Sequence, residues 1–183
     1  MNLFVPLTTL RRLSLLIRTL CWALLFFNLS GLISTAVFAA ETETGSVRLV
    51  AYQQGDWKQL VIQNQGHAFI AHFWGLTCGP CLEELPAWGA FSMKNQAVPL
   101  VTIQVDQVPE KMIQQVLNDS GLSRAEHRVL VDAFDEYVRA EVDPKWMGEL
   151  PFTLLVDSRG KVTRLRGKVN FERVQKWLAS AGR

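Results

Sequence analysis

The segment Phe73-Trp74-Gly75-Leu76-Thr77-Cys78-Gly79-Pro80-Cys81 constrains this chain more than any other. An apolar, strand-like run delivers two cysteines, spaced C-x-x-C, onto the start of a helix. A helix N-terminus presents unpaired N–H groups and the positive end of a dipole, so a thiolate at Cys78 is favoured over the thiol. In such sites the thiol pKa falls from about 8.5 to roughly 3.5 to 7.5. Two intervening residues on one helical turn bring the second sulfur within bridging distance, and Pro80 suits a first turn, where no N–H is needed. The pattern predicts that Cys78 attacks and Cys81 resolves.

The 183-residue chain has a formal net charge of +2 and is 49% hydrophobic, more apolar than one globular domain requires. The excess lies at the front. Residues 1–20 carry Arg11, Arg12 and Arg18 and no acid, and residues 19–40 carry no charge. A basic region, then an apolar segment ending in Val37-Phe38-Ala39-Ala40, reads as an export signal. The segment is also long enough for an uncleaved anchor, since about 20 apolar residues span a bilayer, with the arginines on the cytoplasmic side in either case. Residues 1–40 are therefore expected to be a signal peptide or a membrane anchor, with 19–40 as the tether, 41–45 a linker and 46–183 the folded domain. This places the domain in the periplasm or another extracytoplasmic space, either soluble or held at the inner membrane. Loss of residues 1–40 removes three of 19 basic residues and none of 17 acidic ones, leaving a net charge of −1 and no basic block for nucleic acid. Cys21 lies inside the apolar segment, with Arg18 just before it where a lipoprotein signal would need apolar or small residues. The exported domain then holds one close cysteine pair, which in an oxidising compartment reads as redox chemistry rather than a structural framework.

Strand and helix patterns alternate through the domain. Ser46–Tyr52 alternates as an edge strand, a turn follows at Gln53–Asp56, and Trp57–Gln63 is helical or extended, the pattern not deciding. After a turn at Asn64-Gln65-Gly66, His67–Trp74 is a near-continuous apolar run, as expected of a buried central strand. A helix from Pro80 carries Leu82, Leu85, Trp88 and Phe91 on one side, with a kink expected at Pro86. Ala97–Val105 is a buried strand, and Pro109 opens an amphipathic helix through Met112, Ile113, Val116 and Leu117 that ends near Asn118–Gly121. Val129–Val131 reads as a short strand and Phe134–Val142 as a helix. Phe152–Val156 and Val162–Leu165 are strands joined by the turn Asp157-Ser158-Arg159-Gly160, and Phe171–Ala181 is a closing helix with Val174, Trp177 and Leu178 on its buried side. The fold class is α/β, a central mixed sheet with helices on both faces.

Three features in order resemble the thioredoxin superfamily, in particular its exported TlpA-like and ResA-like thiol:disulfide oxidoreductases. They are Phe73-Trp74 before Cys78-Gly79-Pro80-Cys81, then Glu84-Leu85-Pro86, then Leu150-Pro151-Phe152-Thr153-Leu154-Leu155-Val156-Asp157 with Gly160. The resemblance covers nearly all of residues 45–183 and implies a thioredoxin fold. It further implies that Pro151 is cis beside the cysteines and that Leu150, with its backbone groups free, pairs with an extended substrate segment. Trp74, Thr77, Leu150 and Pro151 are thus expected to bind substrate. Two departures stand out. Thr77 replaces the tryptophan common before the first cysteine, giving a smaller and more polar rim. His72 stands where thioredoxins place a buried aspartate that assists proton transfer to the second cysteine; it either takes that role or is a satisfied core histidine. Glu84 matches the acidic residue of the family's E-x-P pattern one turn beyond Cys81, and either modulates the pair or lies on a solvated face. Glu83 is assigned to solvent.

A structural zinc site needs four ligands, and beyond one cysteine pair His67, His72 and His127 show no ligand spacing, so no metal site is expected. A dithiolate can hold Cu(I), which keeps a copper-binding assembly factor as an alternative, although the superfamily's copper chaperones use a longer cysteine spacing. A purely structural Cys78–Cys81 disulfide would close a very short loop, which the chain-entropy account values least. The expected protein is a monomeric reductase of disulfides in exported proteins, with no cofactor beyond the Cys78–Cys81 couple. Its electron donor would be a membrane thiol reductase of the DsbD or CcdA type. A disulfide-forming oxidant is the other direction of the same chemistry. Cytochrome c maturation ranks equally with general or copper-linked reduction, because Phe152 stands where specialised cytochrome c proteins often carry an acid.

Overall fold

The structure is a computed structural model and describes residues 47–181; the export or anchor segment, Cys21 and the linker lie outside the described residues. Six strands form one sheet in the order β1-β4-β3-β2-β5-β6. They are β1 (Leu49–Tyr52), β2 (Phe69–Trp74), β3 (Leu100–Gln104), β4 (Glu126–Leu130), β5 (Phe152–Val156) and β6 (Val162–Arg166). The first four pair in parallel, while β5 runs antiparallel to both β2 and β6. Every residue of β2, β3 and β5 is buried. That burial is why β2 reads as a continuous apolar run: helices cover both of its faces, so neither can be polar. β1 lies at one edge, as its alternation predicts.

Among the described residues four helices link strands, α1 (Asp56–Gln63), α2 (Gly79–Lys94), α3 (Glu110–Asp119) and α4 (Glu136–Val142), and α5 (Phe171–Ala181) follows β6. On one face Trp57 and Leu60 of α1 and Val138 and Val142 of α4 pack with Phe69, Ala71 and Phe73 of β2. On the other, Leu85 and Trp88 of α2, Ile113 and Leu117 of α3 and Val174 of α5 pack with Ile70 and Trp74. Burial of each such side chain contributes roughly 1.5–3 kcal/mol before entropy is counted. α2 comes so close to the end of α3 that a Cβ on Gly89 would collide with the Ser120 carbonyl. Among the described residues no helix is long and apolar enough to cross a membrane.

Several boundaries and faces differ from the sequence expectation. Residues 57–63 are helical. α2 starts one residue before Pro80 and runs on through Pro86. Its buried stripe contains Cys81, Glu84, Leu85 and Trp88, whereas Leu82, expected on that side, is 37% exposed because it stands one position further round the helix than Cys81. Met112 is likewise 50% exposed while Ile113 and Leu117 face the core of α3. β4 begins at Glu126 rather than Val129, and Val131 lies outside it. The polar start of β4 concealed it: Arg128 pairs with Glu126 at 2.6 Å, and His127 is buried against the Thr102 hydroxyl at 2.8 Å and the Leu122 carbonyl at 2.9 Å. α4 starts only after Asp135, whose Oδ1 accepts from the Tyr137 and Val138 N–H groups.

Candidate active site

β2 ends at Trp74, and Gly75-Leu76-Thr77 turns the chain into α2, with the Cys78 N–H donating to the Gly75 carbonyl at 3.3 Å. Cys78 is the N-cap of α2, and its Sγ accepts from the Cys81 N–H at 3.2 Å. That places the sulfur where the helix's free N–H groups and dipole favour negative charge. The two sulfurs are bonded, with Cα atoms 5.2 Å apart. Cys78 is partly exposed, whereas Cys81 is 0% exposed within the core beneath α2.

The Leu150–Pro151 peptide is cis. Phe152 opens β5 opposite Phe73, so continuing that antiparallel register sets Pro151 and Leu150 beside Trp74 and Gly75. The loop leading to Pro151 is held at several points. Trp146 stacks on Phe152 at 4.5 Å, meets Phe73 edge-on at 4.8 Å and donates from Nε1 to the Glu149 carbonyl at 2.9 Å. Arg166 pairs with Glu149 and donates to the Lys145 carbonyl at 2.9 Å. Asp143 accepts from Arg164 Nε at 2.6 Å; burial alone would raise its pKa, but the Lys145 N–H and Arg164 together hold it below the ordinary carboxylate value.

His72 lies between Ile70 and Trp74 on the face of β2 that α2 covers, and it is fully buried. Its Nδ1 is 2.9 Å from the Thr153 hydroxyl, its Nε2 is 3.5 Å from Glu84 Oε1, and its ring packs 5.2 Å from that of Trp88. Loss of hydration pushes its pKa down to about 3, so the ring is neutral. Glu84 is 4% exposed rather than solvated. Its Oε2 accepts from the Val169 N–H at 2.8 Å and its Oε1 from Trp88 Nε1 at 3.3 Å, yet desolvation outweighs these bonds and raises its pKa. Two groups that sequence placed on separate elements therefore meet as one buried pair on the Cys81 side of the sheet. Glu83 is exposed and pairs with Lys168 at 2.7 Å.

Of the expected rim residues, Thr77 is exposed and Leu150 is half-buried. Trp74, expected to bind substrate, is 0% exposed. It points into the α2 core because alternation along β2 puts it on the same side as Ile70, so it forms the floor beneath the site. Sequence reasoning missed Asp106, whose carboxylate accepts from the Thr77 N–H at 2.9 Å, and Thr153, the partner of His72. The signal for Asp106 was its place just past the C-terminal end of a central parallel strand, where α/β sheets build their sites.

No family model matches the chain. It is 25% identical over 162 residues to sporulation thiol-disulfide oxidoreductase A of Bacillus subtilis, a match covering 84% of this chain and 93% of that protein. It is 26% identical over 119 residues to thiol-disulfide oxidoreductase ResA of Geobacillus kaustophilus, covering 63% of this chain and 64% of that one. A solved thiol:disulfide interchange protein of the thioredoxin family from Chlorobium tepidum matches with a TM-score of 0.56 at 15% identity, over 67% of this chain and 85% of that one. The fold is thioredoxin-like, and the relatives found by sequence are thiol-disulfide oxidoreductases.

Proposed function

We propose that this chain is an extracytoplasmic thiol:disulfide oxidoreductase that reduces disulfides in exported proteins. The observation that carries it is the asymmetry of the pair: Cys78 is partly exposed at a helix N-terminus, and Cys81 is buried behind it. In the reduced protein the Cys78 thiolate attacks one sulfur of a substrate disulfide, forms a mixed disulfide and expels the other sulfur as a thiolate. Cys81 gives up its proton to the His72–Glu84 couple or to water and attacks Cys78 Sγ. The Cys78–Cys81 bond forms as the second substrate sulfur leaves, so two electrons have passed to the substrate. The edge at Leu150, set by the Pro151 bend, offers the docking site, where an extended segment can pair with the Leu150 backbone. The oxidised pair is restored by a membrane thiol reductase of the DsbD or CcdA type. Export follows from the sequence of residues 1–40, and the Gly79-Pro80 dipeptide, the one found in reducing thioredoxins, supports the direction.

Two readouts on one preparation test this. A Cys81→Ser variant should accumulate mixed disulfides with exported proteins, and none accumulating while Cys78 still alkylates would end the exchange mechanism. Equilibration of the wild-type pair with glutathione should give a potential below about −220 mV; one near −120 mV would make the protein an oxidant instead.

A further inference from the structure

We propose that Asp106 is a positioning residue of the redox site: its carboxylate fixes the peptide that leads into Cys78 and, through its charge, holds the Cys78 thiolate in check. This rests on the exchange activity proposed above. The Val105 N–H donates to the Trp74 carbonyl at 3.0 Å, a last rung that carries Asp106 onto the turn between β2 and α2. There Oδ2 accepts from the Thr77 N–H at 2.9 Å, and the Thr77 hydroxyl donates to Oδ1 at 3.2 Å and lies 3.3 Å from Oδ2. The backbone closes on the carboxylate from the other side. A Cβ on Gly75 would stand 2.7 Å from Oδ2 and 2.8 Å from Oδ1, so only glycine admits this approach.

The thiolate of Cys78 then sits between opposing fields. The N-terminus of α2 and the Cys81 N–H favour it, while a carboxylate bonded to the preceding peptide disfavours it. Three acidic groups near the cysteines have partners of their own. Glu83 pairs with Lys168, Glu149 with Arg166, and Glu84 is buried with the neutral His72, the Trp88 indole and the Val169 N–H. Among the described residues no cation pairs with Asp106. A carboxylate that destabilises the thiolate destabilises the reduced form relative to the disulfide, the reverse of what makes a strong oxidant. Asp106 therefore biases the couple towards donating electrons.

Asp106→Asn keeps an acceptor for the Thr77 N–H and removes the charge. The pH midpoint of Cys78 alkylation should fall by about half a unit or more. The glutathione equilibrium should move towards the dithiol by about three- to tenfold, a tenfold change being about 30 mV. Should that variant not fold, Asp106→Ser removes the same charge while keeping a hydroxyl acceptor, and it is scored in the same way. A purely structural role would alter melting and leave the titration midpoint in place. Midpoints and equilibria that match wild type would overturn the proposal while leaving the exchange reaction standing. A wild-type protein that does not exchange with glutathione would instead sink the exchange reaction, and the alkylation midpoint would still decide the role of Asp106.

Discussion

His72 shows how much one buried side chain can impose on a protein of this size. Its ring stays neutral in the folded state down to about pH 3, while an unfolded histidine takes up a proton below about 6.5. Between those values the unfolded chain binds more protons, so stability is present above pH 6.5 and is lost as pH falls, by at most about 1.4 kcal/mol per pH unit. Glu84 acts in the opposite sense. Its pKa is raised by desolvation, so its contribution is present at low pH and lost as pH rises above the ordinary value. Urea unfolding of His72→Gln from pH 4 to 7 should show a flatter decline towards acid than wild type. Parallel curves would mean that His72 titrates in the fold as it does in the unfolded chain. These residues also mark what sequence can and cannot convey. His72 was visible as a departure from a local motif and Glu84 as a match to one, but their meeting across β2 and α2 depends on register and helix phase, which no local pattern states. Asp106 was missed for a similar reason, since its hydrogen-bond partner Thr77 lies 29 positions away.

At the scale of the element, α2 carries most of the constraint. Its N-terminus holds the sulfurs, its inner stripe holds Leu85 and Trp88, and Gly89 lets it touch the end of α3. Gly89→Ala has excellent helix propensity in isolation but would force the Ser120 carbonyl to move. We expect a net loss of about 1–3 kcal/mol in urea unfolding, typical of overpacking, with the cysteine chemistry preserved. A stabilised variant would show that the α2–α3 contact yields freely. The strands were easier to recognise than the helix faces because burial on both sides leaves β2, β3 and β5 uniformly apolar. The misplacement of Leu82 and Met112 has a simple cause: an apolar residue at the margin of a helical stripe carries no mark of which side it falls on. β4 was cut short because its polar residues satisfy one another rather than appearing at turns.

Considered whole, the molecule couples its redox state to its folding. Folded and unfolded, oxidised and reduced forms make a closed cycle, so a pair more reducing when folded than when unfolded must stabilise the oxidised fold by the same free energy. The oxidised protein should therefore unfold at a higher urea concentration than the dithiol, and the reverse order would argue for an oxidant. One further consequence comes from Glu84, whose Oε2 takes its N–H from Val169, 85 residues further along the chain. The carboxylate beneath the cysteines cannot acquire its full set of partners until the segment before α5 has docked. During synthesis the thiols appear long before their setting does, so proficient electron transfer is a property that only the finished chain acquires.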